Sequence, residues 1–187
     1  MRLFVAIDFP DTVRTALREL MDKLRHETRG ARWVRPEGMH VTLKFLGETG
    51  EKKVPGIRAA LAQIHSADAV EMHFRGLGFF PNERRPRVLW CGIAASPNLA
   101  ELAAGVETAL EPLGFARESR AFVPHLTLAR FPSPGGHQKL VRAAEELKEY
   151  DFGSTRESQM YLYQSVLHPG GAEYTRLESF SFLKGAP

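Results

Sequence analysis

Apolar residues along the chain fall into short alternating and helical stretches that recur in a fixed order. Arg2 to Asp8 alternates, with Leu3, Val5 and Ile7 on one face, and predicts a strand. Pro10-Asp11 opens a helix whose stripe is Val13, Ala16, Leu17, Leu20, Met21 and Leu24, with Gly30 as its predicted stop. Met39 to Leu46 predicts a strand, Val54, Ile57, Leu61 and Ile64 a second helix, and Val70 to Phe79 another strand. Shifted by 85 positions, the series repeats. Val88 to Ile93 is a strand, and Pro97-Asn98 opens a helix carrying Leu99, Leu102, Ala103, Val106, Leu110 and Leu113. His125 to Phe131 is a strand, Leu140, Val141, Ala144 and Leu147 mark a helix, and Gln159 to Val166 is a strand. Tyr174 to Phe182 closes the series.

A period of 85 residues exceeds the roughly 20–50 residues of a solenoid repeat. It predicts an α+β fold made of a duplicated lobe, with two antiparallel-rich sheets facing a central cleft, helices on the outside and pseudo-twofold symmetry. No linker or low-complexity tract divides residues 1–187, so one bilobal domain is expected. Pockets commonly form where such lobes meet.

Composition narrows the class. With 43% hydrophobic and 25% charged residues, the chain has the makings of a packed core and not of a disordered segment. The apolar run Leu3 to Ile7 is far shorter than the about 20 residues of a membrane span, and it is too short for a signal-peptide core. Cys91 is the single cysteine, which excludes an intramolecular disulfide and leaves too few sulfurs for a structural zinc site. A cytoplasmic monomer without obligate protein partner is the expectation. The net charge of +3 favours anionic partners mildly and does not by itself specify nucleic acid.

The repeat carries chemistry. His40-Val41-Thr42-Leu43 and His125-Leu126-Thr127-Leu128 are both His-x-Thr-Leu and stand 85 residues apart. Composition predicts about 0.04 such motifs per chain by chance. In a strand, His40 and Thr42 share one face and Val41, Leu43 and Phe45 the other; His125 and Thr127 likewise share a face, with Leu126 and Leu128 opposite. Across a twofold axis, the two His-Thr pairs converge on one cleft, where a phosphate fits between two imidazoles and two hydroxyls. Such a pair suits in-line displacement at phosphorus, one neutral histidine taking a proton and one imidazolium giving one. Neither motif holds a carboxylate cluster, so no metal or other cofactor is expected.

His40-Val41-Thr42-Leu43-Lys44-Phe45-Leu46-Gly47 and Pro124-His125-Leu126-Thr127-Leu128-Ala129-Arg130 resemble the paired motifs of the two-histidine phosphoesterases. The likeness is to the RNA 2′,3′-cyclic phosphodiesterase branch, long called 2′-5′ RNA ligases. Leu3 to Ile7, Arg87 to Trp90 and Tyr161 to Ser165 extend it over nearly the whole chain. The resemblance implies metal-independent hydrolysis of an RNA 2′,3′-cyclic phosphate to a 2′-phosphomonoester, with His40 as proton donor and His125 as proton acceptor. It further implies that Thr42 and Thr127 contact the phosphate, and it places a basic residue at Arg130. Strict alternation points Arg130 away from His125 and Thr127, unless a bulge turns it. Other readings of the same motifs are 2′-5′ RNA ligation, hydrolysis of a small cyclic nucleotide, and an RNA-end-binding module without turnover.

Lys44 alternates onto the face of His40 and is a candidate for the cleft wall. The arginines of Asn82 to Arg87 could grip an RNA backbone or decorate a solvated hairpin. His26, His65, His73, His137 and His168 fall outside the repeat and are read as non-catalytic; Cys91 alternates with Leu89 and Ile93 and is read as a buried thiol.

Overall fold

Strands from both halves of the chain build each of two antiparallel sheets. The computed structural model describes residues 1–26, 28, 30–133, 137–168 and 171–183. In chain order its elements are β1 (Arg2–Ile7), α1 (Asp11–His26), β2 (Arg32–Trp33), β3 (Val41–Glu48), α2 (Val54–Leu61), β4 (Val70–Phe80), β5 (Val88–Ala95), α3 (Asn98–Leu110), β6 (His125–Arg130), α4 (Gln138–Glu146), β7 (Asp151–Glu157), β8 (Gln159–His168) and β9 (Gly171–Ser181). One sheet runs β3-β1-β8-β9 and the other β2-β6-β5-β4-β7. The last strand of each predicted repeat has thus crossed over: β4 pairs with β5 and β7, while β8 pairs with β1 and β9. The equivalence is β3-β1-β8-β9 to β6-β5-β4-β7, with β2 added at one edge.

Two strands escape the hydrophobic pattern for clear reasons. In β7, only Phe152 is a buried apolar residue, as befits an edge strand that packs on few partners. The two residues of β2 are too few to show a period.

The core face of β1 behaves as alternation requires. Leu3, Val5 and Ile7 join Val13, Leu17, Met21 and Leu24 of α1 in a buried cluster that draws on both sheets. Phe4 and Ala6, on the opposite face, form a separate small cluster with Tyr161 and Tyr163.

Alternation fails in both motif strands at the same point. The β1–β3 register runs Ala6↔Thr42 and then Val5↔Lys44, leaving Leu43 as the extra residue of a bulge. The β5–β6 register runs Trp90↔Thr127 and then Leu89↔Ala129, leaving Leu128 as the extra residue. Leu43 and Leu128 are 85 positions apart, so the bulge belongs to the repeat. The side chains that follow it directly change face, and in β3 a second register shift, at Leu46, restores the pattern for Gly47 and Glu48. Lys44, expected on the face of His40, lies opposite Val5 and is 3% exposed. Phe45, expected to point away with Val41 and Leu43, lies opposite Phe4 and is 61% exposed.

Burying Lys44 requires a partner. Its Nζ donates to Glu107 Oε2 of α3 at 2.5 Å and to the Ala116 carbonyl at 2.8 Å. Removing one member of a buried pair leaves an uncompensated charge, at a cost of about 3–5 kcal/mol. Glu107→Leu is therefore expected to lower the stability measured by urea unfolding by about that amount. Lys44→Met combined with Glu107→Leu should recover most of it. A loss below about 1 kcal/mol in the single variant would mean that the pair behaves as a solvated one.

Candidate active site

One cavity of about 510 Å³ is lined by His40, Thr42, His125, Thr127 and Arg130 together. These are the five residues singled out from the motifs. His40 stands at the entrance of β3 and His125 is the first residue of β6, with each threonine two positions further along the same face. Arg130 reaches the cavity because the bulge at Leu128 returns it to the face of Thr127. Lys44 also borders the cavity, although its charge is engaged by Glu107.

The two histidines have unlike surroundings. His125 Nδ1 lies 2.8 Å from the Val123 carbonyl, which can only accept. Nδ1 therefore carries a proton, and in the neutral ring the lone pair lies on Nε2. Phe80 meets this ring edge-on at 5.0 Å.

His40 hydrogen-bonds the Gly38 backbone, two residues before it, as Val123 is two before His125. Its ring is packed among Phe4 at 5.6 Å, Tyr163 at 4.3 Å and Tyr174 at 5.3 Å. Its Nε2 faces Asp8 Oδ1 at 3.8 Å, and the imidazole is only 6% exposed. Burial pushes the His40 pKa down to about 4, against the pull of Asp8; Arg14 and Arg176 add to the depression.

Asp8 is the centre of a network that the motifs do not reveal. Tyr163 donates its hydroxyl to Asp8 Oδ2 at 2.8 Å, and Arg176 donates to the same oxygen. Burial holds the Tyr163 phenol protonated, with its pKa raised to about 12. On the other side, Arg14 lies 3.7 Å from Asp8 Oδ1 and donates to the carbonyls of Pro36 at 2.6 Å and Met39 at 3.1 Å. The segment entering His40 is thereby tied to the carboxylate beside it. The signal for Asp8 was its place one residue beyond the Ile7↔Val41 pair, which becomes informative once the register is known. The counterpart across from His125 is Gly92, where a Cβ would sit 2.7 Å from the Arg75 carbonyl oxygen. The second lobe has no room for a carboxylate there.

Other candidates lie elsewhere. None of the remaining five histidines lines the cavity. Cys91 is fully buried, and burial raises its thiol pKa. In the loop before β5, Asn82 Oδ1 accepts from the backbone N–H groups of Arg84 and Arg85, and Arg87 donates to the Pro132 carbonyl; none of these arginines borders the cavity. Among the described residues, no group of three or more His, Cys, Asp or Glu is placed to hold a metal ion. No described helix is long and apolar enough to cross a membrane.

The family described as LigT like phosphoesterase matches residues 7–90 and 93–173. The chain belongs to this LigT-like phosphoesterase family. Its LigT-like relatives include the RNA 2′,3′-cyclic phosphodiesterase of Methanothermobacter thermautotrophicus, 34% identical over 96% of this chain and 98% of that one. The protein of the same name from Archaeoglobus fulgidus is 36% identical over 96% and 99%. The fold is that of the solved structure of TT0787 from Thermus thermophilus, with a TM-score of 0.82 and 32% identity over the full length of both chains. LigT of E. coli complexed with 3′-AMP matches with a TM-score of 0.76 and 26% identity over 98% of each chain.

The environment of His40 has a measurable consequence. In an NMR titration, its imidazole is expected to stay neutral on lowering the pH until about 4. Asp8→Asn removes the charge that favours the protonated form, so the midpoint should move lower still. Adding a nucleoside 2′-phosphate should move it higher. Titration of the His40 ring near its ordinary value of about 6.5 in the free protein would contradict this account.

Proposed function

We propose that the protein hydrolyses a 2′,3′-cyclic phosphate at the end of RNA to a 2′-phosphomonoester, using His40 as general acid and His125 as general base. The observation that carries the reading is the pair of motif histidines on one cavity with opposite environments. The names of the relatives support the substrate class.

In this mechanism, the cyclic phosphate lies between the two motif strands. His125 Nε2, its lone pair freed by the Nδ1–Val123 bond, takes a proton from water. The water oxygen bonds to phosphorus as the bond from phosphorus to O3′ breaks in line with it. His40 gives its proton to O3′, and the phosphate remains on O2′. Thr42 and Thr127 donate to the non-bridging oxygens, and the Arg130 guanidinium offsets their growing charge. Each well-placed donor at such a centre contributes about 10²–10³ in rate. After release, His125 loses a proton to solvent, and His40 takes one up when the next anionic substrate binds.

The low intrinsic pKa of His40 makes protonation depend on the substrate. Burial outweighs the attraction of Asp8, and Arg14 and Arg176, both beside that carboxylate, lower the imidazole's proton affinity further. The anionic phosphate adds the second negative charge, and the imidazolium becomes the favoured form in the complex. Asp8 acts through His40 and is a positioning residue.

The test follows the substrate complex. With RNA ending in a 2′,3′-cyclic phosphate, kcat should depend on pH as a bell whose two apparent pKa values belong to the histidine pair. His125→Ala should abolish the acidic limb, because no group then has to lose a proton. His40→Ala should abolish the alkaline limb, because none then has to keep one. Each should slow turnover by about 10²–10⁴-fold. An unchanged bell in either variant, or a 3′-phosphate product, would overturn the reading.

A further inference from the structure

We propose that Arg32, standing beside Arg130, forms a second anion site, one strand outside the catalytic histidines, that holds the backbone phosphate preceding the cyclic end of an RNA strand. The proposal rests on the reaction assigned above and narrows its substrate to an oligonucleotide.

The register makes the pair. β2 contributes only two residues to its sheet, and they lie opposite the last two of β6, Arg32↔Arg130 and Trp33↔Ala129. Trp33 and the buried Ala129 pack on the core side. Directly opposed residues share a face, so Arg32 and Arg130 both project to the cleft side. The bulge at Leu128 is what puts them there; without it, both would flip to the core face along with their register.

Two guanidinium groups directly opposite each other repel, and such a pair weakens a sheet unless something anionic lies between or above them. Both arginines are exposed, and among the described residues neither side chain forms a hydrogen bond or ion pair. Elsewhere the protein does pair its arginines: Arg14 and Arg176 with Asp8, Arg58 with Glu178, Arg117 with Glu111. Arginine's planar fork matches a phosphate's oxygens, so Arg32 can hold a phosphodiester while Arg130 faces the reacting phosphate.

Position decides which phosphate it is. Arg130 borders the catalytic cavity and Arg32 does not. Neighbouring strands are about 4.8 Å apart, so Arg32 stands one such step outward. A single nucleotide with a cyclic phosphate brings its one anion to the cavity, which Arg32 does not border. A strand with a further nucleotide on the 5′ side carries a second anion, and the Arg32 side of the pair is where it would rest. The pseudo-twofold counterpart is unlike it: the position of Arg130 is taken in the first lobe by Phe45, opposite Phe4. The cleft therefore has one basic end and one aromatic end, which gives a bound strand a direction.

The experiment compares a ribonucleoside 2′,3′-cyclic phosphate with a short oligoribonucleotide bearing the same end, in wild type, Arg32→Ala and Arg32→Lys, over a range of salt. Arg32→Ala should raise KM for the oligonucleotide about tenfold, the factor for one lost charge-assisted contact. It should also reduce the salt dependence by about 0.7 in log–log slope, one counterion's worth on a single strand. Its kcat/KM for the mononucleotide should be unchanged, and Arg32→Lys should retain part of the oligonucleotide advantage. An unchanged oligonucleotide KM and salt slope, or an equal loss on the mononucleotide, would overturn the second site. If wild type turned over neither substrate, the assigned reaction would fall instead. The anion site would then be judged by fluorescence anisotropy with a labelled oligonucleotide ending in 2′-phosphate, whose binding Arg32→Ala must weaken.

Discussion

One extra residue immediately after the threonine of each motif strand decides what faces the cleft. Leu43 in β3 and Leu128 in β6 interrupt the pleat immediately after the threonines. The residues before each bulge present histidine and hydroxyl to the cavity. The residues after it exchange faces, so that Arg130 joins the cavity wall while Lys44 is carried inward to meet Glu107. β6 thus brings three polar side chains to the cavity where strict alternation would present two. The energetic counterpart is a buried ion pair at Lys44, which still borders the cavity with its charge engaged by Glu107.

Duplication supplies the frame, and its imperfections supply the chemistry. The strand order is the same in both sheets apart from the added β2, and each sheet takes its β8 or β4 strand from the other half of the chain. Hydrogen bonds therefore cross between the halves in both sheets, and the cavity is not formed by two independently folding units touching at a surface. Within this symmetry, Asp8 faces His40 where Gly92 faces His125, and Phe45 stands where the other lobe has Arg130. One imidazole is buried beside a carboxylate and two arginines; the other is held by a backbone carbonyl in a fixed tautomer. Two chemically identical side chains thereby stand in unlike surroundings, which is what the proposed division into proton donor and acceptor requires.

Much of this was legible in the sequence because it rests on local pattern. Periodicity of two and of 3.6 located the helices and the long strands, and the 85-residue recurrence of His-x-Thr-Leu located the candidate site. What escaped depends on pairing between distant segments. The face of Lys44 follows from its register with β1, and the approach of Tyr163 and Arg176 to Asp8 follows from the order β1-β8-β9. The crossing of β4 and β8 into opposite sheets leaves the hydrophobic period unchanged, so the period could not reveal it. Arg32 sits in a two-residue strand that has no pattern of its own, and it acquires meaning only from the residue across from it.

The division of labour between the histidines is the central claim, and a change of leaving group tests it most directly. A 2′,3′-cyclic phosphorothiolate, with sulfur in place of the bridging O3′, departs as a thiolate and needs no proton. Its kcat/KM should be nearly the same in His40→Ala as in wild type, while His125→Ala remains impaired by about 10²-fold or more. Recovery of His125→Ala in place of His40→Ala would reverse the two roles, and recovery of neither would contradict acid–base catalysis by this pair.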